Sequence, residues 1–82
     1  MPLHGIRVIE LAGIGPTPFC TMLLADLGAD VLRVHRPDAP AEPWNDAFGR
    51  GKHQLPLDLK ADGAAATVLH LVEHAHVLVE GF

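Results

Sequence analysis

An 82-residue chain that is 49% hydrophobic can form one small domain, and a domain of that size hides only a little over half of its unfolded surface. Six basic residues against ten acidic ones leave a formal charge of −4, which offers nucleic acid and anionic lipid no sequence-wide attraction. A single cysteine, Cys20, excludes an internal disulfide framework and a zinc-type cysteine pair, and with no signal-peptide pattern or bilayer-length apolar run the chain reads as soluble and cytoplasmic, without a nucleic-acid or membrane partner.

Residues Ile6 to Leu11 are apolar and β-branched, which predicts a buried strand with Arg7 and Glu10 at its margins. "AGIG" breaks that pattern. Thr17 then reads as an N-cap and Pro18 as the first residue of a helix running to about Leu27. Gly28 suits a left-handed C-cap, and Asp30 to His35 predicts a second strand. Pro37 to His53, with Pro37, Pro40, Pro43, Gly49 and Gly51, shows neither period; a loop of that length is either functional or disordered. "QLPLDLK", residues 54 to 60, predicts a short strand that Pro56 pushes toward a sheet edge. Asp62 reads as the cap of a helix from Gly63 to about Ala75, with Ala64, Ala65, Val68, Leu71, Val72 and Ala75 on its apolar face, and His76 to Glu80 as a last strand. This alternation predicts an α/β fold, a parallel sheet with right-handed crossovers and flanking helices. The sequence stops just after its last strand, which would leave one face thinly covered. Residues 1–82 therefore read as a single, incomplete domain.

Gly13 and Gly15 supply two of the three glycines of a dinucleotide fingerprint, with Pro18 where the third would stand. Taken alone, the pair is equally the steric need of a tight strand-to-helix turn. An NAD site would place an acidic residue about 20 residues further on; here Arg33, His35 and Arg36 stand at the end of the second strand. Arginine there suits a phosphorylated adenosine, as in NADP or coenzyme A. The plain alternative is a pair of solvated strand-end charges. The helix start at Thr17 to Cys20 offers amides and a positive dipole end to a pyrophosphate or thioester oxygen, although Pro16 and Pro18 remove two donors.

"GIRVIELAGIGPTPFCTMLLADLGADVLRVHRPD", "GRGKHQLPLDLK" and "AHVLVEGF" resemble, in that order, the amino-terminal segment of the family III coenzyme A transferases and α-methylacyl-CoA racemases, over nearly the whole chain. The "ELAGIGP" block resembles the racemase branch more; oxalate and carnitine type transferases often carry a polar residue such as glutamine where this chain has Gly15. The resemblance implies a Rossmann-like, coenzyme A binding part of a chain several times longer, working in fatty acid metabolism as a homodimer of interlocked subunits. A partner chain supplying the missing portion is the other arrangement it leaves open. It also implies roles for individual residues. Arg36 matches the arginine that contacts the adenosine phosphate, Leu57, Asp58, Leu59 and Lys60 match the segment lining adenine and ribose, and Ile14 matches a loop residue beside the thioester. Coenzyme A thioester would be a substrate, with no permanently bound cofactor and no metal. The histidine and aspartate of the racemases, like the acyl-bearing aspartate of the transferases, are implied to lie beyond these residues, so no catalytic residue carries over. After "RGK" the family usually has a basic residue where this chain has His53, implying a pH-dependent share in the grip on phosphate.

Other patterns compete for attention. "HLVEH", His70 to His74, spells an H-x-x-E-H zinc pattern, but no third ligand follows, and surface histidines at a helix C-terminus explain it adequately. Cys20 reads either as a thiolate favoured by a helix start or, with more weight, as a small core residue. Trp44 and Phe48 read as covers for a ligand, another domain or exposed core. Besides the racemase and transferase readings, a non-catalytic NADP-binding module and an inert fragment remain open.

Overall fold

The strands of this chain take their places around the residues Ile6–Leu11, whose apolar run predicts burial on both faces. The computed structural model describes residues 1–12, 16–38 and 48–81. In chain order they form β1 (Arg7–Leu11), α1 (Pro16–Asp26), β2 (Asp30–His35), β3 (Lys52–Pro56), α2 (Ala64–Glu73) and β4 (Val77–Val79). All pairings are parallel, and the order across the sheet is β3-β2-β1-β4. The expected α/β class, a parallel sheet with flanking helices, is what forms. After β1 the chain builds β2 and β3 on one side and returns to lay β4 on the other. In such sheets ligands bind beyond the carboxyl ends of the strands.

Several boundaries differ from the sequence expectation, each for a local reason. α1 begins at Pro16 rather than after Thr17, because the fixed φ of proline suits the first helical position and its missing N–H costs nothing there. Thr17 is thus inside the first turn and is not the cap. The helix ends as expected: Gly28 has φ 102, its amide donates to the Ala25 carbonyl at 3.0 Å, and the Ala29 amide reaches the Leu24 carbonyl at 3.0 Å. That pair of bonds is a Schellman motif. β3 starts at Lys52 and stops at Pro56, so residues 57 to 60 leave the sheet rather than extend it. α2 is capped by Gly63, at φ 80, without a side-chain hydrogen bond; Asp62 lies outside the helix, and the left-handed turn that only glycine adopts easily does the work expected of it. α2 also ends two residues short of Ala75, and β4 is confined to Val77–Val79.

Strand alternation sorts the side chains into two faces. Val8 and Glu10 line up with Val31 and Arg33 of β2, and those with Lys52 and Gln54 of β3. α1 covers this face, where Val8, Ala29 and Val31 make a core with Leu3, Ile6, Leu24, Ala25 and Val79 around it. The opposite face carries Ile9, Leu32 and Leu78 in one row. On this side Leu69 and Leu78 stay 64% and 47% exposed. Among the described residues no helix is long and apolar enough to cross a membrane.

Candidate functional site

His35 pairs with Pro56 in register, and the Leu57 amide donates to the His35 carbonyl at 2.7 Å. Arg36 and Leu57 therefore leave the sheet side by side at the carboxyl ends of β2 and β3. The next residues fold into a tight turn. Asp58 Oδ1 accepts the Lys60 amide at 2.9 Å, and the Asp58 carbonyl accepts the Ala61 amide at 2.9 Å, the self-bonding turn that short acidic side chains favour. Leu59 is left 39% exposed, and Lys60 is exposed beside it. Arg36 pairs with Asp38 at 3.4 Å, both side chains lying mostly in solvent. Water screens such a pair, so exchanging Asp38 for a phosphate costs little. A guanidinium, an ammonium and an apolar side chain thus stand at the adjacent carboxyl ends of β2 and β3. Ile14, the remaining residue expected at this site, lies outside the described residues, as does Trp44.

Two basic residues expected near this edge are elsewhere. Arg33 faces α1 instead of the strand end, because a side chain two residues before His35 is fixed on one face by the strand period. Its side chain is only 13% exposed, with Nε 3.9 Å from Glu10 Oε2, and its guanidinium donates to Gln54 Oε1 at 3.2 Å. It is not the solvated strand-end charge of the plain alternative. His53 stands near the start of β3, 3.3 Å from Asp30 Oδ1, about 10 Å by strand rise from Pro56. That leaves Arg36 and Lys60 as the cations of the edge.

Beneath α1 lies a buried polar cluster that the sequence reading placed at a strand margin. Glu10 and the Lys52 side chain are both 0% exposed and meet at 2.9 Å. The Thr21 hydroxyl donates to Glu10 Oε1 at 2.7 Å, and Lys52 Nζ also donates to the Pro18 carbonyl at 3.2 Å. Glu10 Oε2 accepts no hydrogen bond among the described residues, and the Arg33 Nε stands opposite it. The alternation puts Glu10 on the same face as Val8, but which face α1 covers is decided only by the fold. A carboxylate buried there requires a cation from a neighbouring strand.

Next to this cluster a cleft of about 360 Å³ opens between Pro18, Phe48, Arg33, Arg50 and Gln54. Arg50 is engaged with Asp26 through Nε to Oδ1 at 3.2 Å and NH2 to Oδ2 at 2.8 Å. That fork holds the Asp26 carboxyl below its usual range, the hydrogen bond outweighing the opposing desolvation, and raises Arg50 in turn. Arg50 and Arg33 of the cleft thus face the carboxylates of Asp26 and Glu10. Phe48 meets Phe19 edge to face, 5.9 Å between centroids, and so covers part of α1.

The glycine turn itself, residues 13 to 15, lies outside the described residues, but its surroundings are defined. Both Pro16 and Pro18 lie in the first turn of α1. A side chain on Gly81, just after β4, would collide with Thr17 Oγ1, so the helix start is pressed against the chain leaving β4. Cys20 is exposed and is not the core residue its size suggests. His70 on α2 and His74, its C-cap, are exposed surface histidines, with their rings 4.9 Å apart.

A sequence profile of CoA-transferase family III matches residues 3–82. Over 82 residues the chain is 48% identical to the α-methylacyl-CoA racemase of Homo sapiens, covering 100% of this chain and 21% of that protein. It is 41% identical over 96 residues to the succinyl-CoA:mesaconate CoA-transferase of Haloarcula hispanica, covering 98% of this chain and 24% of that protein. Its structure superimposes on the crystal structure of a CaiB/BaiF family protein from Brucella suis with a TM-score of 0.85 and 32% identity, covering 99% of this chain and 26% of the other. The chain thus spans about a fifth to a quarter of the length of the relatives it matches.

Proposed function

Because the chain belongs to CoA-transferase family III, we propose that it is the amino-terminal part of an enzyme acting on acyl-CoA thioesters, of the racemase kind, and that it grips the adenosine end of the coenzyme. The observation that carries this reading is the register at the sheet edge, which sets Arg36 beside the turn that holds Asp58, Leu59 and Lys60. In this reading Arg36 forms a charge-assisted fork with the adenosine phosphate, Lys60 adds a second positive charge, and Leu59 offers the base an apolar seat. Ile14 would face the thioester end.

A racemase of this kind removes the proton next to the thioester carbonyl and returns it on the opposite face. None of the residues described here is proposed as the acid or base. Their contribution is to anchor the part of the substrate that does not react, so that binding energy gathered at the nucleotide orients the distant carbon. The 48% identity to a racemase supports that branch; the 41% identity to a CoA-transferase supports a second reading, in which the same grip serves transfer of the coenzyme between acids.

Calorimetric titration of the chain with coenzyme A tests the proposal. Saturable binding is expected, weakened about 10- to 100-fold in Arg36→Ala, as loss of a charged hydrogen bond implies. Competition by adenosine 3′,5′-bisphosphate and not by the 2′,5′ isomer separates coenzyme A from NADP. No heat from a chain that circular dichroism shows to be folded would overturn the proposal.

A further inference from the structure

The exposed surface of α2 gathers His70, Glu73 and His74 so that one ligand atom from each lies within 4.8 Å of the others. The sequence pattern alone lacked a third ligand; the structure supplies it from inside the motif, since Glu73 is on the same turn as both histidines. From this we propose a binding site for a divalent transition-metal ion of the zinc class, with two imidazole nitrogens and one carboxylate oxygen from the protein and water in the remaining position.

The chemistry of the donors suits that class. Imidazole favours zinc, copper and nickel, whereas magnesium and calcium prefer oxygen ligands throughout. The ring of His74 is held by a backbone carbonyl. Its Nδ1 stands 3.0 Å from the His70 carbonyl, an acceptor, an arrangement that would leave Nε2 to face a metal ion. Such a bond from the far nitrogen to a carbonyl is the usual way metal-ligating histidines are oriented. The backbone under the site is also held in place. An Arg7 guanidinium nitrogen donates to the His74 carbonyl at 3.3 Å, while the His74 and Ala75 amides close the helix on Leu71 and Val72 at 3.1 and 3.0 Å. Tetrahedral zinc needs its donors about 3.3 Å apart, a shortening of about 1.5 Å that side-chain rotation of three exposed residues provides. The site is remote from the edge at Arg36, and its role does not depend on the reading given to that edge. With donors from one helix and none from another element, it binds the metal and leaves the chemistry of the family alone.

Titration of the 82-residue chain with zinc chloride against a chromophoric chelator decides the matter, with circular dichroism on each sample. One equivalent is expected to bind in the micromolar range, with affinity falling at least about tenfold in His70→Ala and in His74→Ala and by less in Glu73→Gln. Cys20→Ser, which removes the exposed thiol, should leave binding unchanged. Zinc should raise the thermal midpoint of the wild type and not that of His74→Ala, because an ion that binds only the helical form stabilises it by mass action. Zinc binding unaltered in both histidine variants, magnesium binding of equal strength, or equal zinc affinity in concentrated guanidinium would each overturn the site, as would no binding at millimolar zinc.

Discussion

Lys52 carries more of this molecule than its place at the start of an edge strand suggests. It enters a site closed by Pro18 and Thr21 and meets Glu10 there with both side chains shut off from water. Removing one member of such a pair strands the other, which costs about 3–5 kcal/mol. In a domain of this size Lys52→Met should therefore lower the thermal midpoint by more than about 12 °C. Adding Glu10→Gln should recover part of that loss. A double variant whose destabilisation equals the sum of the two singles, measured by denaturant unfolding, would show that the pair is not coupled. At this scale the sequence was unevenly legible. The position of Arg36 just past β2 could be found because a strand end followed by proline marks where the chain leaves the sheet. Glu10 and Arg33 could not, because whether a charge inside a strand meets water depends on which face α1 covers.

α1 shows the same division at the level of an element. Its start at a proline and its close at Gly28 are local chemistry and follow from residue types. Its two sides do not. Thr21 and Met22 face inward and are buried, while Phe19, Leu23 and Leu27, spaced one turn apart, remain 48%, 45% and 45% exposed. The helix is apolar around most of its circumference, as a helix covered on all sides would be, so sequence periodicity cannot tell its inner face from its outer one. An expected consequence is that Leu23→Gln changes the stability of this chain by less than about 0.5 kcal/mol while reducing its self-association, read by light scattering beside a thermal melt. A melt that falls by many degrees would mean that Leu23 is packed after all.

For the whole molecule, the sheet order sets the distribution of stability. β1 and β2 are flanked on both sides, and Val8, Val31 and Val34 within them are at most 2% exposed; β3 and β4 are edges, and β4 has only three residues. Amide hydrogen exchange should accordingly be slowest in Val8–Glu10 and Val31–Val34 and faster in β4 and α2. Equal protection of β4 and β1 would contradict this account. The alternation of apolar runs, turns and helical stretches by itself determined the α/β class, the element order and the span of β2, because strand and helix periods and turn chemistry act between near neighbours in the chain. Only the tertiary structure decided that Glu10 would find Lys52 and that Arg33 would turn toward α1. Those outcomes depend on which strand lies beside which and on which face of each helix is covered, and contacts across space leave no period in the sequence.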